Sequence, residues 1–399
     1  MTALLIIICL LLIGVIVVQI GRVTELATKI RGEEEMQLVV NRRQGVMSMV
    51  FMVLFLIGCI VSGVMYKNWM LGYGPHQAAS AHGDRLDSMF NITLFFTGIV
   101  FIITQIALFY FAYKYRGEKG KRAAFISHNN RLEIIWTAIP AVVMAFLVIN
   151  GLDAWNDVMA DVEPGEDFIE VEATGYQFAW SLRYPGPDGQ LGTKNYKLIK
   201  DGVNPLGQDW TDLKNLDDIH ADELVLPVGK KVRVRITARD VLHNFYLPHF
   251  RLKMDAVPGM PTYFVFTPTK TTAEYREELS KYAEYQKPDP ENPEQMLWET
   301  FNYELACAEL CGNGHFSMRR VVRIVTEEEY QAWLAQQKSY YLSQIRNTDN
   351  DPFKGKLFDF EEGQQPTDTL QTAAPADSLN NAAPADTTQT TDTTTTDQQ

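Results

Sequence analysis

The chain has 399 residues, a formal net charge of −13 and four cysteines. That acidity excludes the basic footprint of a phosphate-binding surface, so nucleic acid is not an expected partner and a basic protein is. Four cysteines in so long a chain exclude a disulfide scaffold, and the slightly negative mean hydropathy averages an apolar N-terminal part with an almost wholly polar end.

Four apolar runs come first, at Thr2–Ile20, Val46–Tyr66, Phe90–Tyr113 and Ile134–Ala154. Each reaches or approaches the ~18 residues that a membrane-crossing helix needs, and none carries a charge at its centre. Cys9 and Cys59 lie inside such runs, where a thiol acts as a small hydrophobe. The flanking charges set the orientation. Arg22, Lys29, Arg31, Arg42 and Arg43 fall between the first two runs, and Lys114, Arg116, Lys119, Lys121, Arg122 and Arg131 between the last two. The middle loop carries only Lys67 and Arg85. The first and third loops are therefore expected in the cytoplasm, with both termini and everything after 154 on the outer face. The first run lacks a basic flank and a small-x-small cleavage pattern, which favours a retained helix over a cleaved signal.

From Asp167 the pattern turns to strands. Glu223–Ala238 alternates Val232, Val234 and Ile236 with Arg233, Arg235 and Thr237, the period of a half-buried strand. Asp167–Tyr184, Tyr263–Thr267 and Arg319–Thr326 read similarly, which predicts a β-sandwich or barrel. Glu327–Ile345 reads as a closing amphipathic helix. Residues 186–218 and 270–299 read as loop insertions. The polar tail, 363–399, has too little apolar surface to offset the entropy of ordering and is expected to be disordered. No C-x-x-C-H occurs, so no haem is expected in this chain.

The chemistry concentrates in Cys307-Ala-Glu309-Leu-Cys311-Gly-Asn-Gly-His315-Phe-Ser-Met318. Thiolate, imidazole and thioether are the donor set of soft copper chemistry. A single-copper site needs one cysteine, so the second thiolate points to two coppers bridged side by side, with a second histidine supplied from elsewhere. His243, directly after the alternating strand, is the candidate. Structural zinc and a surface disulfide stay open at this point, since the outer face is oxidising. His220 and His249 are read as surface residues.

The C-x-E-x-C-G-x-x-H-x-x-M loop resembles the dinuclear copper motif of cytochrome c oxidase subunit II. DVLHNFYLPHFRLKMDAVPGM is similar to that family's first-histidine segment, RLEIIWTAIPAVV to the start of its second membrane helix, and GYQFAWSLRY to its aromatic strand. With the four apolar runs, the resemblance implies about four transmembrane helices, the third and fourth matching the family's usual two and the first two being extra, followed by an all-β cupredoxin-like sandwich. It implies Cys307 and Cys311 as bridging ligands, His243 and His315 as terminal ones, Met318 as a weak axial ligand and Glu309 as a ligand through its carbonyl. It further implies a magnesium ion shared by the Glu309 carboxylate with subunit I, a proton-pathway mouth at Glu133, and electrons entering at Phe178 or Trp180. Phe178 departs from the family, which has tryptophan there. The implied partners are subunits I and III, a cytochrome c donor and membrane lipid, in a bacterial cytoplasmic membrane with the copper domain periplasmic. The implied division is an extra helix pair at 1–66, a hairpin at 67–154, the copper domain at 155–350 and the tail at 351–399. The extra pair is a candidate interface to another respiratory complex. Two rivals remain: a copper-lacking quinol-oxidase type of subunit II, and a free membrane-tethered copper carrier.

Overall fold

The computed structural model of the protein describes residues 2–70 and 78–356; the tail expected to be disordered lies outside them. Four long helices lead: α1 (Thr2–Arg31), α2 (Glu33–Met70), α3 (Gly83–Lys114) and α4 (Asn130–Val158). All four are long and apolar enough to cross a membrane. They extend beyond the apolar runs, so the basic stretch expected as a loop between the first two is helical up to a turn at Gly32, whose φ of 85° suits glycine. The second helix packs on the third through Phe51 against Phe109 and Phe55 against Phe101, with ring centroids 5.8 and 6.2 Å apart. Gly45 permits this approach, because a Cβ there would stand 3.2 Å from the Tyr113 ring. Outside such contacts the helices present large apolar side chains outward, as lipid or a membrane partner requires.

Ten strands then build two five-stranded sheets. One has the order β3 (Ile219–Ala221), β2 (Ala179–Tyr184), β1 (Ile169–Tyr176), β5 (Val232–Ala238), β8 (Thr262–Phe266). The other runs β4 (Leu224–Pro227), β10 (Arg319–Val325), β9 (Tyr303–Cys307), β6 (His243–Leu247), β7 (Leu252–Ala256). Val232, Val234 and Ile236 point inward with no exposure, meeting Trp180, Leu182, Phe245, Tyr303, Leu305 and Val322 between the sheets. The cupredoxin-like sandwich is therefore present, and its alternation was legible.

Three expectations need correction. Asp167–Tyr184 is a hairpin, turning at Gln177-Phe178 so that Glu172 lies opposite Arg183. Residues 270–299 contain α5 (Thr272–Leu279), closed by a capping box between Thr271 and Glu274, and α6 (Leu297–Thr300). The closing helix stops early: α7 spans Glu327–Gln336, Gln337 is extended, and a separate π-helical turn follows at Tyr341–Ile345. The apolar spacing of 327–345 covers both pieces, since both bury tyrosines, and so conceals the break.

Residues 186–218 cover the outward side of the first sheet. Arg183, 1 % exposed, donates to Glu172 at 2.7 Å, to Asp218 at 2.6 Å, and to Asn215 and the Gly192 carbonyl at 3.0 Å each. Lys194 completes the cluster on the other Glu172 oxygen at 2.7 Å. Beside it Trp210, Leu216, Tyr341, Ile345 and Phe353 form a second small core. The ordered chain thus continues past 350, with Asp351 buried and bonded to the Tyr341 hydroxyl at 2.5 Å.

Candidate metal centre

The second sheet brings the candidate ligands together. Strands β6 and β9 are antiparallel neighbours with Phe245 opposite Cys307, which places His243 at one end of β6 beside the cysteine that ends β9. The His243 Nδ1 lies 3.8 Å from the Cys307 Sγ, and the two Sγ atoms are 3.9 Å apart. On the far side, Cys311 Sγ lies 3.6 Å from His315 Nδ1 and 3.9 Å from Met318 Sδ. The Glu309 carbonyl accepts from the Cys307 thiol at 3.2 Å. His243, Cys307 and Cys311 form a buried cluster whose donor atoms all lie within 4.8 Å of one another, the composition and spacing of a metal site. A sulfur separation of 3.9 Å is nearly twice the ~2.05 Å of a disulfide bond, and both cysteines are free.

The surroundings hold this set in place. His243 is fully buried, and its Nε2 meets the Asp240 carboxylate at 2.9 Å, which turns Nδ1 toward the sulfurs. Burial alone would raise the Asp240 carboxyl, but the Gln177 N–H and the His243 ring hold it below its usual range. Gln177 also donates from its amide to the Cys311 carbonyl at 2.6 Å, tying the β1–β2 turn to the ligand loop. Glycine at 175 leaves room for the His243 ring, because a Cβ there would stand 3.0 Å from it and the ring would have to give by a few tenths of an ångström. Burial, reinforced by Cys307, pushes the Cys311 thiol up to about 11, so an arriving metal ion displaces a proton from it at neutral pH. Removing the orienting acid in Asp240→Ala is expected to weaken metal binding about 10–100-fold without unfolding the domain, as read by competition against a copper chelator.

The other predicted residues fall into distinct places. Trp180 is fully buried, its ring 6.1 Å from His243 and edge-on to Phe245. Phe178 is 37 % exposed and lies over the ligand loop, where a Cβ on Gly314 would come within 2.5 Å of its ring. The Glu309 side chain is exposed beside the cluster. Glu133 stands apart at the start of α4, where its carboxylate accepts from the Asn129 N–H at 3.2 Å, a local capping contact. Two histidines depart from their expected surface positions. His249 is buried among Tyr275, Phe301 and Tyr303, and His220 is half-buried, stacked 4.0 Å from Tyr340. Asp240 and Gln177 are not among the residues expected from sequence to serve the site. The i, i+3 spacing of Asp240 and His243 was the available signal.

Comparison with known proteins gives the chain a family. The transmembrane domain of cytochrome c oxidase subunit II matches residues 66–153, and the periplasmic domain of the same subunit matches residues 169–278. A protein of Bradyrhizobium diazoefficiens named alternative cytochrome c oxidase subunit 2 is 35 % identical over 257 residues, covering 64 % of this chain and 81 % of its own. The chain belongs to the cytochrome c oxidase subunit II family. A Thermostichus vulcanus cytochrome c oxidase subunit 2 is 30 % identical over 293 residues, covering 67 % and 79 % of the two chains. The crystal structure of the periplasmic domain of subunit II from Bradyrhizobium japonicum is 26 % identical, covers 43 % of this chain and 95 % of its own, and superposes with a TM-score of 0.27. As a subunit II, the chain is a multi-pass membrane protein of electron-transfer type with an extracytoplasmic β domain. The periplasmic match ends at 278, so the loop with both cysteines follows it, behind the inserted helices.

Proposed function

We propose that this chain is the copper-bearing subunit of a cytochrome c oxidase, taking electrons from a cytochrome c and relaying them to haem in subunit I, where dioxygen is reduced to water and protons are pumped. The observation that carries the reading is the pairing of donors, with two adjacent thiols and an imidazole on the outer side of each. Cys307 and Cys311 would be shared by two coppers, His243 and His315 would each complete one, and Met318 and the Glu309 carbonyl would be the weaker ligands. When bound, such a pair supplies a one-electron couple. The β6–β9 ladder and the Asp240 and Gln177 contacts hold the donors in one arrangement, so little reorganisation accompanies a change of charge.

The subunit reading also accounts for the neighbourhood. Leu310 and Phe316, 80 % and 78 % exposed beside the ligands, form an apolar rim that a partner is expected to cover. That partner is subunit I, with subunit III further off. The exposed Glu309 carboxylate would share a magnesium ion with subunit I, and Glu133 would mark the mouth of a proton pathway. Phe178 is the point where electrons would enter, because it is the outward aromatic, while buried Trp180 packs behind His243. Acidic residues outnumber basic ones across 155–350, which suits a basic donor. The division would be the extra helix pair, the membrane hairpin and the copper domain, with the last boundary beyond 350 because Asp351 and Phe353 are buried, and α1 and α2 would face another respiratory complex. The copper-lacking quinol-oxidase rival has no use for two cysteines, and a free carrier has none for Glu133 or Glu309.

The full chain purified with copper is expected to bind two coppers and to give a mixed-valence spectrum with hyperfine coupling to both nuclei. A single-copper spectrum, or zinc retained in preference to copper, would end the reading.

A further inference from the structure

The segment between the second and third helices does more than connect them. Ala78, Ala79 and Ser80 are buried against the β domain, far along the chain from their contacts. The Ala79 N–H donates to the His249 carbonyl at 2.8 Å, Thr269 N–H donates back to the Ala79 carbonyl at 2.8 Å, and Ala81 N–H donates to the Thr267 carbonyl at 3.0 Å. Ser80 pairs with Pro268 as an antiparallel bridge, and its hydroxyl donates to the Phe250 carbonyl at 2.6 Å. One turn into α3, Asp87 receives both arms of Arg251, at 2.7 and 2.8 Å. Arg251 is 7 % exposed in its side chain and sits at a φ of 55°, one of two non-glycine residues with a positive φ among the described residues. Such a backbone at a half-buried, two-pronged ion pair is what a turn shaped around that contact looks like. Gly83 lets the strap enter the helix, since a Cβ there would overlap Ala78. At the same height Arg85 bridges to Asp153 and Asp157 near the end of α4.

We propose that residues 78–87 are a positioning strap, with Asp87–Arg251 as its clasp, that fixes the orientation of the copper domain over the membrane hairpin. The strap docks on the turn joining β6 to β7, while the ligand His243 begins β6 and faces Ala256 at the end of β7. Clasp and ligand therefore lie at opposite ends of one short strand pair, roughly 15 Å apart at ~3.3 Å per residue. A tilt about the clasp end sweeps the metal centre sideways and changes its distance to any acceptor in the membrane partner. Without the clasp, the backbone bonds of the strap and the non-helical chain at 159–168, beyond the end of α4, are left to set that angle. The proposal rests on the relay reading above.

The experiment uses the assembled oxidase carrying the full chain in lipid nanodiscs, as wild type, Asp87→Arg, Arg251→Asp and the double charge swap. Amide exchange at Ala79, Ala81 and Thr269 is expected to speed up ~10-fold or more in each single variant, since a charge-assisted pair is lost. Electron transfer from the copper centre to haem is expected to slow severalfold in the same variants, with the mixed-valence spectrum unchanged. The double swap is expected to restore both rates. Unchanged exchange in the single variants would overturn the clasp, and faster exchange with unchanged electron transfer, or a swap that restores neither, would overturn the positioning role. A wild-type complex with no mixed-valence signal would instead end the relay reading itself, so the two failures are distinguishable.

Discussion

Replacing Cys311 by serine is expected to leave one copper per chain, with hyperfine coupling to a single nucleus, and to cut oxidase turnover by more than about 100-fold. The expectation follows from the place of this sulfur. It is the one donor in contact with Cys307, with His315 and with Met318, at 3.9, 3.6 and 3.9 Å. An alcohol oxygen is a hard, poor ligand for copper in a thiolate site. Its substitution therefore strands His315 and Met318, while His243 still reaches Cys307. Loss of a contact one layer further out costs about 10–100-fold in metal affinity or activity, so loss of a shared ligand has to exceed that. The fold is expected to survive, because Cys311 lies in the loop after β9 and outside every strand. A buried serine hydroxyl without a partner costs about 1–3 kcal/mol, which a domain of this size tolerates. Turnover is measured with a soluble cytochrome c, and the copper count by metal analysis beside the spectrum. Two coppers retained in the serine variant would show that the thiolates are not shared. Met318→Leu, nearly conserved in volume, serves as the control and is expected to keep both coppers.

The close approach of His243, Cys307 and Cys311 was legible because metal chemistry restricts residue type and spacing together. Few arrangements put two thiols, an imidazole and a thioether within twelve residues, and the candidate partner His243 came shortly after the clearest alternating strand. The four membrane helices were legible for a related reason, since a lipid environment allows no polar interruption. Residues 186–218 were not, because their packing is polar. Asn204, Gln208, Asn215 and Asp218 are buried there by hydrogen bonds, and such residues leave no apolar period to read. The first part of the strap, 78–81, is also silent in sequence. Alanine and serine fit it because they are small enough to lie against another backbone, and that says nothing until the other backbone is known. His249 looked like a surface residue for want of its aromatic neighbours, two of which come from residues beyond 300.

The buried Arg183 gives the largest expected effect on stability. Arg183→Met keeps the volume and apolar stem but leaves Glu172 and Asp218, 1 % and 0 % exposed, without their shared cation. Removing one member of a buried ionic cluster costs about 3–5 kcal/mol, because the remaining charges keep their desolvation penalty. Lys194 still serves Glu172 at 2.7 Å, which places the cost toward the lower end, about 3 kcal/mol. The loss should depend on pH in a set direction. Burial raises the Glu172 carboxyl, but Lys194 and Arg183 overcome it and hold the group at about 2. Its contribution is thus present above the usual carboxylate range and fades as pH falls toward 2. Burial pushes Asp218 up to about 7 against the pull of Arg183, so this group keeps its proton in the folded chain until near neutrality. Arg183 therefore meets two charged partners above pH 7, one between about 7 and 2, and none below. The stability gap between wild type and Arg183→Met should be widest at pH 8, narrower at pH 5, and nearly closed at pH 2. Hydrogen exchange at the β1 and β2 amides of the full chain reads that gap directly, without requiring the whole molecule to unfold in one step. A gap that stays constant with pH would show that Arg183 acts through its packing alone. Adding Glu172→Gln and Asp218→Asn to Arg183→Met removes the orphaned charges and is expected to recover most of the loss, as neutral replacement of buried ionic clusters does elsewhere.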